Sequence, residues 1–227
     1  VTIGASAFAN ANLTSVVLPD SVTEIGYDAF YFNRHLASVV LPASLKKLSG
    51  FRYTALTSIQ IPSNVTHIGS YAFQDAKFTS IVIPNSVIEI GMYAFAGREF
   101  SSSATYGFAY TQTSLTSLTL GAGVTNIGDK AFAGANITSL TLPSSITTIG
   151  RQAFAYCTQL TSLVIQSSTI AYADSSPFGS SYYSYPSGLL SSAGLAPITS
   201  ITLPAGSDCK QLTKLGTICD TANVTYI

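Results

Sequence analysis

Charge is what this chain has least of. Only 9% of its 227 residues are charged, ten of each sign with two His besides, for a formal net charge of zero. A neutral chain offers no electrostatic footprint to nucleic acid or to an anionic membrane, so neither is expected as a partner. No run of 18 apolar residues occurs, and no membrane insertion is expected within this chain. Nor does a basic stretch lead into an apolar run at residue 1, so no targeting segment is expected there. Core material, by contrast, is ample: 47% of the residues are apolar and mean hydropathy is +0.37, which excludes disorder from low hydrophobicity. A folded chain with so few charges has to cover itself with Ser, Thr, Asn and Gln.

The motifs of catalysis are missing as well. There is no Gly-x-Ser-x-Gly, no His-Glu-x-x-His, no Cys-x-x-Cys and no glycine-rich phosphate loop. His35 sits just before a strand start, and His67 holds a position taken in other repeats by Glu24, Lys47, Glu89 and Asn126, as expected of a variable outward site. The ten acids are scattered singly, which suits neither an oxygen-ligand metal cluster nor a paired-carboxylate hydrolase. Asp174 is the one acid within an aromatic-rich stretch. No enzymatic activity, metal or cofactor is expected.

What the chain does have is a repeat. Leu13-Thr14-Ser15-Val16-Val17-Leu18-Pro19 returns with starts at residues 36, 56, 78, 115, 137, 160 and 198, spaced 23, 20, 22, 37, 22, 23 and 38 residues apart. A second signature follows in most units: Ile25-Gly26 with Ala29-Phe30, Ile68-Gly69 with Ala72-Phe73, Ile90-Gly91 with Ala94-Phe95, Ile127-Gly128 with Ala131-Phe132, and Ile149-Gly150 with Ala153-Phe154. Ile3-Gly4 and Ala7-Phe8 place the start of the chain inside a repeat, so a longer protein, truncated here on its N-terminal side, is expected. Positions two apart on a strand face the same way, so Val16 and Leu18 point inward and Ser15 and Val17 outward. Pro donates no ladder hydrogen bond and ends the strand. One 23-residue coil cannot bury its apolar side alone, but stacked coils can, which predicts a solenoid. Eight Phe at one repeat position (Phe8, Phe30, Phe51, Phe73, Phe95, Phe132, Phe154 and Phe178) are expected to form an internal spine. Gly after Ile implies either positive φ or close approach of a neighbouring backbone.

The unit Leu-x-x-Ile-x-Ile-Pro-x-x-Val-x-x-Ile-Gly-x-x-Ala-Phe resembles the BspA-like leucine-rich repeat family, from residue 1 to about 204. The resemblance implies a right-handed leucine-rich-repeat superhelix, mainly β with short turns and helical segments. It also implies a secreted or cell-surface protein of bacteria or protozoan parasites that adheres to host proteins or to other cells. Cys157 matches a Cys such repeats often carry. Residues 43–55 depart from the pattern, being short and reading Leu48-Ser49-Gly50-Phe51, and the unit at 166–197 has lost its Pro and regular bend. Residues 205–227 are expected to form a C-terminal cap. Within it Cys209 and Cys219 enclose a small loop suited to a disulfide, against the alternative of two free thiols, with Cys157 buried and reduced.

Two surfaces are candidates for binding. The enlarged units, near 98–114 and 166–197, carry Phe100, Tyr106, Phe108 and Tyr110 in one and Tyr182, Tyr183 and Tyr185 in the other, a Tyr/Ser/Gly makeup like that of antibody contact loops. The bland alternative is a pair of tolerated insertions folded back onto the coils. The second candidate is an uncharged strip on the strand face, in which Ser recurs in all eight copies beside Val, Gln or Thr, with Ser117, Thr119, Ser139 and Thr141 at its centre. Those hydroxyls could instead only brace neighbouring strands. The expected function is non-enzymatic adhesion to an extracellular or cell-surface protein, with a glycan as a possible partner. The alternative is a structural spacer that presents another domain of a longer protein.

Overall fold

The computed structural model describes residues 1–102, 107–172, 198–210 and 218–227. It is a solenoid in which most coils contribute two short parallel strands and a tight turn around a Phe. Helix is almost absent: among the described residues it is confined to Cys209, Lys210 and Ile218–Thr221.

The two signatures build two different ladders. The positions of the Ile-Gly signature, six of them Ile-Gly and the others Leu48-Ser49 and Tyr172-Ala173, give eight two-residue strands, Thr2–Ile3 through Glu24–Ile25 to Ala171–Tyr172, hydrogen-bonded in order as one parallel sheet. Each residue lies over its counterpart in the next coil, Ile68 over Leu48 and Ile90 over Ile68. The inward residue is the buried Ile or Leu and the outward one is the variable Glu24, Lys47, His67 or Glu89. The Leu-x-x-Φ signature gives the second ladder, which is broken into three pieces: Ser15–Val17 with Ser38–Val40, Ser80–Val82 with Ser117–Thr119, and a run of four from Ser139–Leu142 to Asn223–Tyr226. Its first gap falls at Ser58–Gln60, which follows the shortened unit at 43–55. Pro ends these strands as its missing N–H requires, and its carbonyl then closes a turn, accepting from Val22 (Pro19), Leu45 (Pro42) and Val65 (Pro62) at 3.0–3.1 Å.

Phe8, Phe30, Phe51, Phe73, Phe95, Phe132 and Phe154 stack face on face, with centroids 4.9–5.7 Å apart. Phe178 lies outside the described residues. Of the two conditions that Gly after Ile could answer, close approach holds. A Cβ on Gly91 would meet the Ser70 amide nitrogen at 2.5 Å and one on Gly128 that of Met92 at 2.7 Å, while neither has positive φ. Positive φ falls instead on residues two before the spine Phe (Asp28, Tyr71, Tyr93, Lys130) and two after it (Phe32, Tyr53, Asp75, Tyr156), at 53–60°. Such non-glycine left-handed turns are costly, and coil-to-coil hydrogen bonds hold them: the Phe32 amide donates to the Arg52 carbonyl at 3.0 Å and that of Tyr53 to Gln74 at 2.9 Å.

In the shortened coil only three steps separate Leu48 from Phe51, against five from Ile25 to Phe30. It has no residue to place two before its Phe on the pattern of the others, and Gly50, at φ 92°, makes the turn alone. In the first enlarged unit, Glu99–Ser102 and Gly107–Tyr110 pair as an antiparallel hairpin. Near the C-terminus, Cys209 and Cys219 are joined by a disulfide, Cys157 is a buried thiol, and Asn223–Tyr226 adds to Ser200–Leu203 in parallel.

Candidate functional site

The strip on the strand face takes shape from the outward residues of the Leu-x-x-Φ strands. Ser15, Ser38, Ser58, Ser80, Ser117 and Ser139 are exposed, as are Thr119 and Thr141; the last two coils carry Ser162, Val164, Ser200 and Thr202 half-buried. Val17, Val40 and Val82 stand in the same strip 75, 54 and 65% exposed, so it is apolar as well as hydroxylated. Where the ladder breaks, a shallow depression of about 460 Å³ opens between Val39–Leu41 and Gln60.

Two other sets of hydroxyls do brace the coils. Thr116 Oγ1 donates to the Thr79 carbonyl at 3.1 Å, Thr161 to Thr138 at 3.2 Å and Thr199 to Thr161 at 3.3 Å, one residue before the strip. At the bend after the strand, Ser44, Ser86, Ser145 and Ser167 donate to the carbonyls of Val22, Val65, Val124 and Ile146 at 2.6–2.8 Å. The strip's own Ser117, Thr119, Ser139 and Thr141 side chains make no such bond among the described residues.

Of the aromatic candidates, Phe100, Phe108 and Tyr110 lie on the hairpin, with Phe108 opposite Ser101, Phe100 opposite Ala109 and Tyr110 opposite Glu99. Tyr106 and Tyr182, Tyr183 and Tyr185 lie outside the described residues, as does Asp174. His67 is half-exposed, its Nδ1 2.8 Å from Thr66 Oγ1 and its Nε2 3.9 Å from Glu89, and His35 is exposed. Among the described residues no three His, Cys, Asp or Glu are grouped to hold a metal ion, and no helix is long and apolar enough to cross a membrane.

A third surface emerges only from the stacking. On the turn edge, Tyr71 and Tyr93 stack at 4.9 Å, and Tyr27 meets Tyr71 edge-on at 6.2 Å. Tyr27 and Tyr71 belong to coils either side of the shortened one, and the guanidinium of Arg52 lies beside both rings. It lies 4.7 Å from the Tyr31 ring, 5.3 Å from Tyr71, 5.4 Å from Tyr53 and 5.9 Å from Tyr27, and Nη2 donates to Asp28 at 2.9 Å. Burial pushes the Asp28 carboxyl above its ordinary value, with Arg52 pulling the other way. Burial likewise raises the phenols of Tyr53 and Tyr71. Farther along, Lys130 Nζ reaches Tyr93 Oη at 2.7 Å and Glu99 at 3.4 Å. Burial alone would lower this ammonium; the Tyr93 hydrogen bond and the Glu99 charge outweigh it and raise it.

Beside Arg52 a depression of about 440 Å³ is lined by Tyr31, Phe32, Arg34, Tyr53, Asp75, Lys77 and Arg98, with Thr54 and Ala55. Sequence reasoning missed it. The available signal was the set of residues one to four places after each spine Phe, read across coils rather than along the chain.

Against known proteins, the model of the BspA type leucine rich repeat region matches residues 1–103 and 104–216, in six copies. No curated protein matches the chain. Among solved structures it is similar to a leucine-rich repeat protein from Bacteroides ovatus (20% identity, 100% of this chain and 69% of that one, TM-score 0.38). It is also similar to a leucine-rich repeat protein of T. pallidum (20%, 76% and 66%, TM-score 0.44). A third is a leucine-rich cell surface protein from Faecalibacterium prausnitzii (20%, 99% and 82%, TM-score 0.31).

Proposed function

The chain belongs to the BspA-type leucine-rich repeat family, and from that premise we propose that it is a non-enzymatic binding protein, secreted or on the cell surface, that adheres to host proteins or to other cells. One observation carries the reading: the strand strip keeps its hydroxyls unspent while the hydroxyls flanking it are used between coils. Beside those hydroxyls stand the exposed Val17, Val40 and Val82, which offer a partner apolar area as well as hydrogen-bonding groups. A protein partner laid along the rod meets Ser, Thr and Val from coil after coil without having to displace any of the protein's own hydrogen bonds.

Beads coated with the chain should attach to cultured cells, and soluble chain should compete. Thr119→Glu with Thr141→Glu places two charges on exposed strip positions and should abolish attachment while leaving the melting temperature unchanged. Attachment that survives both changes would move the contact off the strip. No attachment to any cell or matrix protein favours a spacer that presents another domain.

A further inference from the structure

Four of the ten basic residues of this neutral chain, Arg34, Arg52, Lys77 and Arg98, gather on the turn edge. Asp28 neutralises Arg52 at 2.9 Å and Asp75 neutralises Lys77 at 2.9 Å. Arg34 and Arg98 are exposed and, among the described residues, have no carboxylate within ion-pair distance. Each lies against a ring instead, Arg34 at 4.1 Å from the Phe32 centroid and Arg98 at 6.0 Å from that of Tyr53. Both line the depression of about 440 Å³, a size within the roughly 300–1,000 Å³ of small-ligand clefts.

The rings here are fixed in place. Phe32 and Tyr53 occupy left-handed turn residues, their rings meeting at 6.3 Å and 85°, and Tyr31 packs on both at 5.5 and 5.8 Å. Their backbone amides are already bonded: Tyr31 to Asp28, Phe32 to Arg52 and Tyr53 to Gln74. An extended peptide therefore finds no strand edge to pair with on this surface, and recognition falls to side chains alone. Aromatic faces, negative at their centres, accept the C–H groups of a sugar ring. Unpaired guanidinium forks take a carboxylate through two parallel hydrogen bonds.

The geometry points to a binding site for a carboxylated glycan, one carrying uronic acid residues, at the Tyr31–Phe32–Tyr53 depression, with Arg34 and Arg98 holding its carboxylates. An acidic peptide meets the same charges but neither a backbone partner nor a use for the ring faces. The site is separate from the strand strip, and neither needs the other.

Calorimetric titration of the full 227-residue chain with trigalacturonate at low salt tests the assignment. The methyl ester of that trisaccharide and hexaglutamate serve as controls. Trigalacturonate should bind, and its methyl ester at least about tenfold more weakly, since one charge-assisted hydrogen bond is worth about that much. Hexaglutamate should also bind more weakly, because it keeps the charges but has no sugar ring to lay on the aromatic faces. Arg34→Gln with Arg98→Gln, both exposed, should weaken trigalacturonate by about tenfold or more at an unchanged melting temperature. Tyr53→Leu should weaken it with the charges intact. No heat at millimolar trigalacturonate, equal binding of hexaglutamate, or an unaffected arginine double variant would each overturn the site. Cell attachment of that double variant, measured in parallel, reads the strip separately, so the two readings fail independently.

Discussion

Cys157 has no exposed surface; its thiol lies 3.6 Å from the Phe132 carbonyl oxygen, and burial pushes its pKa up to about 12 from an ordinary 9.0. The folded protein therefore keeps a proton that the unfolded chain gives up above pH 9, and by linkage stability declines as pH rises from there towards 12. Tyrosines titrate in the same window, so the contribution is read by difference. Urea midpoints measured at pH 8 and pH 10.5 should fall less for Cys157→Ala than for the parent. Equal falls would show that the thiolate is tolerated inside. The same burial makes the thiol inert to alkylation in the folded state, and it should react as the chain unfolds.

Among elements, six of the eight two-residue strands of the ladder are followed by a glycine that lets neighbouring backbones close up. With the preceding coil's backbone 2.7 Å from the place of its Cβ, Gly128 has no room for a methyl group, and nothing there is a flexible side chain that could move aside. Gly128→Ala should cost about 1–3 kcal/mol, as overpacking does. Gly4→Ala, with nothing within 4 Å, should leave stability unchanged or raise it by up to about 1 kcal/mol. Urea unfolding of the two variants checks the contrast, and similar losses would mean that close approach of the backbones is not what these glycines supply. This part of the fold was legible because each coil solves the same packing problem: one Phe on the spine, one Ile or Leu inward, one Gly where backbones meet. The turn edge was not legible. Its residues differ from coil to coil, as Tyr31, Arg52 and Gln74 do directly after the spine Phe. The contact of Arg52 with Tyr27 and Tyr71 goes with two missing residues before Phe51, a deletion that gains meaning only when neighbouring coils stand on either side. A net charge of zero likewise concealed the local excess, because composition averages over position. On the strand face the outward Ser and Thr were legible, but which hydroxyls the coils consume was not, since adjacent positions look alike in the repeat.

For the whole molecule, every coil rests on its neighbours, and the order of the ladder strands follows the order of the chain. The backbone hydrogen bonds between coils consequently run along the rod rather than across it. A pull applied to the two ends loads them in the direction in which they break, one coil after another. A released coil of 22 residues, the spacing from Phe73 to Phe95, extends by about 70 Å at ~3.4 Å per residue less the strand spacing it gives up. Force spectroscopy should show a sawtooth of such steps, with longer ones at the two enlarged units, where repeat starts lie 37 and 38 residues apart, and a single release of the full contour length would contradict it. A protein built this way lengthens under load at a ceiling set by one coil's bonds, and so limits the tension that reaches whatever it is holding.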